Sequence, residues 1–355
     1  MPTRLTASDG VLLLDGQPCK LLGANAYSLY PRIVNNQTPN AYVDVFDMLA
    51  EAGCKVVRIF GDGFNTAGQL GLWETDSAAA LAATQTLFDA AHARGIVLVW
   101  CIHWHLIGVA TWKGEANSAL VSGTTASRTY LKLVVDTVVP AFKDHPALGS
   151  WECANELPPL FAANGLTVAN AVTVQNDLRG WIDAQDPGSL IISGCSTADS
   201  TTISGQSGQA PDAGLEWLRA AHVGWNTQSS HIYADRPTAV GTNGGRFGEW
   251  LDRVCVRAKG LGQPMTIGEF GGGAADAATS ELQIRNMVRG FAESTHAQLG
   301  LIWNCDTSDF SGNQAPFIFN RSTRPYVLDL MRQNAAPFFD RRGAGESVAV
   351  KYAGV

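Results

Sequence analysis

Two short runs of the chain begin apolar and end on a carboxylate. They are Trp151-Glu152-Cys153-Ala154-Asn155-Glu156 and Met265-Thr266-Ile267-Gly268-Glu269, the latter followed by Phe270. Two carboxyl groups facing each other about 5 Å apart can cleave an acetal with retention of configuration, one protonating the leaving oxygen and the other attacking the anomeric carbon. The division of labour needs one group protonated and one ionised, and burial and neighbours can push the two pKa values apart in that sense. Plainer readings exist. Glu156 would serve as a carboxylate at a helix N-terminus, where the dipole favours negative charge. Glu269 would serve as half of a buried ion pair with Arg58, and an arginine there would also keep a nucleophile ionised.

Other polar residues end apolar runs in the same way: Arg58, His103, Asn155, His231, Tyr233 and Trp303. The elements that would carry them are eight strand-length runs: Leu21–Asn25, Val56–Phe60, Ile96–Ile102, Leu148–Ala154, Leu190–Ser193, Ser229–Tyr233, Met265–Glu269 and Leu299–Asn304. Each is continuously apolar, as in parallel strands covered on both faces. Helical spacing fills the intervals, with Leu81, Leu87, Phe88 and Ala91 before an Arg94-Gly95 stop, and Phe247, Leu251, Val254 and Ala258 before Gly260. Asp276 reads as the N-cap of a run carrying Leu282, Arg285, Met287 and Phe291, and Ser127–Ala141 makes another helix. Two Asp-Gly turns, at Asp9 and Asp15, bracket Val11–Leu14 as a hairpin ahead of the first unit. Eight strand–helix units predict an α/β chain forming a single (β/α)8 TIM barrel over residues 1–340, with 341–355 as a glycine-containing tail. In that fold the strand ends open into the catalytic mouth. A doubly wound open sheet is the alternative, but Thr66 stands where the third glycine after Gly61 and Gly63 belongs.

Composition narrows the partners. The 355 residues are 46% apolar and 16% charged, which excludes disorder, and the formal net charge is −7. With 25 basic residues against 32 acidic, and no basic run, no nucleic-acid partner is expected. No apolar stretch has membrane-spanning length, so no membrane partner is expected either. The chain as written lacks a signal-peptide core and reads as cytoplasmic, or as secreted if a leader has been trimmed. The seven cysteines are scattered and read as buried thiols, although a disulfide in a secreted form stays open. Oligomeric state is not legible.

The set Asn155-Glu156, His231-Ile232-Tyr233, Gly268-Glu269-Phe270-Gly271 and Trp303 resembles glycoside hydrolase family 5, a family of retaining enzymes on this barrel. The resemblance runs from Leu21 to about Asn304. It implies Glu156 as general acid/base, Glu269 as nucleophile, and no metal or organic cofactor. It also implies that Asn155 binds the sugar 2-hydroxyl, that Arg58 holds the nucleophile, and that Tyr233 stands beside it. His231 would position the acid/base, His103 would contact sugar, and Trp303 would form the stacking floor. Leu157 departs from the family's usual proline after the acid/base, with Pro158 and Pro159 following. The wording Leu22-Gly23-Ala24-Asn25-Ala26-Tyr27 and Ser150-Trp151-Glu152 is most similar to endo-β-mannanases, with cellulases close behind. The implied function is retaining hydrolysis of a β-linked mannan- or glucan-type saccharide, with an exo-acting β-glycosidase or a transglycosylase as the alternative.

Rival chemistries are weaker. His103-Trp104-His105 has metal-ligand spacing, but no lysine ends the fourth strand to bridge two metals, as an amidohydrolase-type barrel would need. Ser207 lacks the later glycine of a nucleophile elbow, Gln209 standing there. A catalytically silent carbohydrate-binding barrel would not need both glutamates. Trp104, Trp112, Trp225 and Tyr233 are candidate sugar platforms beside Trp303, whereas Trp100, Trp151, Trp181 and Trp217 read as core. Asp306, Asp309 and Asn313 form a polar loop that would reach a distal sugar or merely make an exposed turn.

Overall fold

The eight apolar runs form eight parallel strands. A three-stranded antiparallel sheet, β1 (Leu5–Ser8), β2 (Val11–Leu14) and β3 (Gln17–Pro18), precedes them. The barrel strands are β4 (Leu21–Asn25), β5 (Val56–Phe60), β6 (Val97–His103), β7 (Leu148–Ala154), β8 (Ile191–Ile192), β9 (Gln228–Tyr233), β10 (Met265–Gly271) and β11 (Leu299–Ile302). This computed structural model describes residues 4–36, 38–62, 71–121, 123–195, 218–274, 276–309 and 317–335. The expected tail at 341–355, Trp217, Asn313, Thr66 and Ser207 lie outside the described residues.

Hydrogen bonding runs β8-β7-β6-β5-β4-β11-β10-β9, every pair parallel, so the sheet curls into a nearly closed (β/α)8 barrel. Apart from Tyr233, every residue of these strands is buried. That is why the runs are mostly apolar, with buried polar exceptions such as Arg58, Glu152 and the serines of β9: one face fills the barrel and the other meets helices. Several expected boundaries shift. β6 runs Val97–His103 rather than Ile96–Ile102, β8 shrinks to two residues, β9 starts at Gln228 rather than Ser229, β10 continues to Gly271 rather than Glu269, and β11 stops at Ile302.

Among the described residues no backbone ladder joins β8 to β9, and side chains bridge that seam. Ser193 Oγ lies 3.0 Å from Ser229 Oγ, and the Cys195 amide donates to Ser229 Oγ at 3.1 Å. Buried His222 completes the bridge, with Nδ1 2.7 Å from the Leu218 carbonyl and Nε2 2.7 Å from Ser193 Oγ. A carbonyl can only accept, so Nδ1 carries the proton and Nε2 accepts from the serine.

Helices are started by their caps. Asp76 accepts from the Ala79 amide to open Ser77–His92, Thr125 from Arg128 to open Ala126–Phe142, and Asp276 from Thr279 to open Ala277–Glu293. In Phe247–Lys259 the expected apolar face is the buried one. In Ala277–Glu293 the buried face is Ile284, Met287, Val288 and Phe291, and Leu282 lies exposed at its edge. Below the barrel, Leu5, Leu12 and Cys19 of the small sheet pack on Leu21, Val56, Val97, Leu299 and Leu301, closing the end opposite the mouth. All seven cysteines are buried thiols outside any disulfide.

Burial lowers the His222 pKa from 6.5 to about 4, against the small opposing pull of the Leu218 carbonyl. Above pH 6.5 the ring is neutral in both folded and unfolded chains and pH has no purchase on it. Between about 6.5 and 4 only the unfolded chain takes the proton, so stability falls by up to about 3 kcal/mol. Urea melts from pH 7 to 4 should show that loss, and His222→Gln should flatten it relative to the parent.

Candidate active site

The chain leaves β7 through an unusual conformation. Glu156 sits at φ 51°, ψ 38°, in the left-handed region that non-glycine residues rarely occupy, and it begins the helix Leu157–Ala163. Its amide donates to the Gly194 carbonyl at 2.7 Å, and the Asn155 amide donates to the His103 carbonyl at 3.0 Å. Neighbouring strand ends thus hold both backbone units. Gly194 can approach because it has no side chain: it sits at φ +72°, and a Cβ there would lie 1.7 Å from the Ala154 carbonyl oxygen. The Leu157 departure leaves no gap, since Leu157 is fully buried in the core.

At the centre lies Arg58, on β5 and wholly buried. Its Nε donates to both Glu152 oxygens at 3.0 and 2.9 Å, and Nη2 to Glu152 Oε1 at 2.5 Å and Asn155 Oδ1 at 2.8 Å. Nη1 donates to Asn25 Oδ1 at 2.9 Å and Glu269 Oε1 at 2.7 Å. All five N–H groups of the guanidinium are used. The Phe60 ring lies 4.7 Å below its carbon. Burial works against the cation, but Glu152 and then Glu269 outweigh it and its pKa is raised.

Glu269 also accepts a short hydrogen bond from the Tyr233 hydroxyl. His231 Nδ1 lies 3.0 Å from Glu156 Oε1 and 3.5 Å from Glu269 Oε1. Among the described residues its Nε2 has no hydrogen-bond partner, so the ring donates to the carboxylates through Nδ1. The other ring edge packs on Gly268, where a Cβ would stand 2.7 Å from Nε2. Burial raises the Glu269 pKa, offset in part by His231 and Arg58. Burial also pushes Glu156 up, but the His231 hydrogen bond, with the charges of His231, Arg58 and Arg236, outweighs it and holds that carboxyl low. The Glu156 side chain keeps 36% of its surface exposed.

The two glutamates, Asn155, Tyr233, Trp104 and Trp303 line one cavity of about 400 Å³. Trp303 is backed by Tyr27, stacked at 5.0 Å, and the peptide from Trp303 to Asn304 is cis. Arg236 and Asp235 also line this space, 3.7 Å apart. Nothing in the residue pattern distinguished them from an ordinary turn.

Other expected residues go elsewhere. His103 is fully buried, with Nδ1 3.3 Å from Asp62 and Nε2 3.2 Å from the Leu131 carbonyl on the outer helix Ala126–Phe142. It points out of the barrel, so the structure does not bring it to the cavity as a sugar contact. The His103/His105 pair separates too, because His105 Nδ1 accepts from the Gly108 amide to cap Leu106–Trp112. Among the described residues the cluster with metal-ligand atoms in reach is Glu156, His231 and Glu269. Trp112 packs against Tyr130 and Trp225 against His222, both away from the cavity. Asp306 is buried on Arg32 and Ser28, and Asp309 is held by Arg32 and Thr38, so neither is a free sugar ligand in a polar loop. Sequence reasoning missed Glu152 and Asn25. A glutamate inside an otherwise apolar strand, and an asparagine at a strand end, were the available signals.

Neither a protein-family model nor a curated protein matches the chain by sequence. Solved structures match its shape. An endo-1,4-β-mannanase from Rhizomucor miehei aligns over 94% of this chain and 99% of its own, at 15% identity and TM-score 0.70. An endo-β-1,4-mannanase from Thermotoga petrophila aligns over 90% and 77%, at 17% and 0.68. A glycoside hydrolase family 5 mannosidase from R. miehei aligns over 94% and 97%, at 12% and 0.69. The chain therefore has the fold of the family 5 mannanases and mannosidases.

The Gly194 contact gives a direct test of how Glu156 is held. Gly194→Ala should lower stability by at least about 2 kcal/mol and displace Glu156. Gly165→Ala, at φ +77° with open space around it, should cost only about 1 kcal/mol of backbone strain. Paired urea melts measure the difference.

Proposed function

We propose that the chain is a retaining β-glycoside hydrolase acting on β-linked mannan- or glucan-type saccharides, with Glu269 as nucleophile and Glu156 as general acid and then base. The observation that carries the reading is spacing. One oxygen from each carboxylate and one nitrogen of His231 lie within 4.8 Å of one another. Retaining pairs stand about 5–5.5 Å apart, whereas inverting pairs need about 6.5–9.5 Å to admit a water. The names of the structural neighbours favour mannan over glucan, and include both endo-acting and mannosidase enzymes.

Each group then has its task. Arg58 and Tyr233 donate to Glu269, which orients a carboxylate oxygen for attack on the anomeric carbon. As that bond forms, the glycosidic bond breaks and Glu156 gives its proton to the departing oxygen. Water then attacks the glycosyl–enzyme ester, Glu156 takes its proton, and Glu269 leaves as a carboxylate. Asn155 has its carbonyl oxygen tied to Arg58, which leaves the amide nitrogen to donate to the sugar 2-hydroxyl. Trp303 and Trp104 offer flat apolar faces to the sugar C–H surfaces.

The hydrogen bond from His231 and the charges around it favour a deprotonated Glu156, which suits the second step but not the first. Substrate resolves this. A sugar filling the cavity strips water from the exposed third of the side chain, and its glycosidic oxygen becomes an acceptor; both favour the protonated carboxyl.

Because kcat/KM reports free enzyme and kcat reports the complex, the alkaline limb of kcat should lie at higher pH than that of kcat/KM. Glu269→Gln should lose about 10⁴-fold or more in kcat, whereas Glu156→Ala should keep its first step on aryl glycosides with good leaving groups and be rescued by azide. NMR of the first-formed product should show the substrate's anomeric configuration. An inverted product would exclude the mechanism, and no release from mannan, cellulose, laminarin or aryl β-glycosides would exclude the substrate class.

A further inference from the structure

Glu152 has no surface in the cavity and no part in the two-step reaction above, yet it makes the largest set of contacts to Arg58. It is fully buried on β7, paired in register with Cys101 of β6 and Ile192 of β8. Its carboxylate grips the guanidinium side-on, through Nε and Nη2, while Glu269 takes a single Nη1 hydrogen. A fixed guanidinium plane is what aims Nη1 at Glu269 and Nη2 at Asn155.

The charges matter as much as the geometry. Arg58 and Glu269 alone would make a neutral, tightly closed pair in a dry site, and a carboxylate so neutralised is a poor nucleophile. With Glu152 present the trio carries one net negative charge, and the exposed end of the trio is Glu269. The transition state of glycoside cleavage is oxocarbenium-like and positive, so an uncancelled negative charge fixed beneath it is stabilising. We propose that Glu152 is a positioning residue that orients Arg58 and cancels its charge, leaving Glu269 free to act as the negative group at the reacting carbon. This rests on the retaining-hydrolase reading for its activity readout.

The groups facing Glu269 are Arg58 from β5, Glu156 beyond β7, and His231 and Tyr233 from β9. Those facing Glu152 are Arg58 and the thiols of Cys101, Cys153 and Cys195. Arg58 is the group common to both, so a change at Glu152 reaches Glu269 through it.

The test is Glu152→Gln, an isosteric loss of one charge, with Glu152→Asp, which keeps the charge but shortens the arm, as the second variant should the first not fold. Carboxyl-labelled protein followed by ¹³C NMR reads the titration of Glu269 without any substrate. Glu269 should titrate at lower pH by about one unit in Glu152→Gln and by a smaller amount in Glu152→Asp. The acid limb of kcat/KM should move with it, and kcat/KM should fall about 10²-fold or more in Glu152→Gln. A folded variant with the parent's Glu269 titration overturns the proposal, because a merely structural glutamate would lower stability and leave that titration alone. If the parent itself cleaves no β-glycoside, the functional reading fails while the NMR titration still decides the coupling.

Discussion

One buried guanidinium governs this structure. Removing an arginine from water costs several kcal/mol unless every donor is satisfied and the charge is matched. Arg58 meets that demand with Glu152, Asn155, Asn25 and Glu269, which come from or follow β7, β4 and β10. The requirement runs both ways. To bury Arg58 the fold must bring the ends of four strands together, and once they are together the carboxylate of Glu269 and the amide of Asn155 have no rotational freedom left. Preorganisation of the site and stability of the barrel mouth are therefore the same set of hydrogen bonds.

The second constraint is the backbone at Glu156. A left-handed glutamate costs on the order of 1 kcal/mol or more, and it persists because Gly194 and His103 hold the flanking amides. The strain places the Glu156 side chain over the cavity, within reach of His231, instead of along the strand where alternation would send it. His231 in turn needs the bare face of Gly268. Two glycines and a buried ring thus set the distance between the carboxylates.

The barrel was legible because parallel strands buried on both faces are mostly apolar, and the runs at Leu21, Val56, Leu148 and Met265 are apolar apart from a few polar residues such as Arg58, Glu152 and Glu269. The seam was not, since the short β8 borrows its closure from Ser193, Ser229 and His222, and side-chain bridges leave no periodic signal. Glu156, Glu269, Arg58, Asn155, His231, Tyr233 and Trp303 were legible as polar or aromatic residues at strand ends. His103 shows the limit of that rule. A strand end fixes height in the barrel, but local partners decide where the last side chain goes: Cys101, on the same face of β6, meets Glu152 in the interior, whereas His103 is drawn to Asp62 and the Leu131 carbonyl. Glu152 is the converse: it lies too deep to count as a strand end, yet it points inward. Trp112 and Trp225 fail for a simpler reason, because residues beyond the strands are placed by helix packing that a single sequence does not reveal.

The mouth has an electrostatic order that follows from these placements. Its deepest charges, Arg58 and Glu152, cancel in contact. Above them sits Glu269, nearly buried, and above that Glu156, a third exposed. Proton affinity in such a column is set by depth until a ligand arrives. Burial already acts fully on Glu269, so binding changes it little, whereas Glu156 has water to lose and responds strongly. The two carboxylates are therefore distinguished less by their partners in the empty cavity than by how much solvent each surrenders on binding. An uncharged ligand that fills the cavity can thus switch the protonation of one glutamate without bringing any charge of its own.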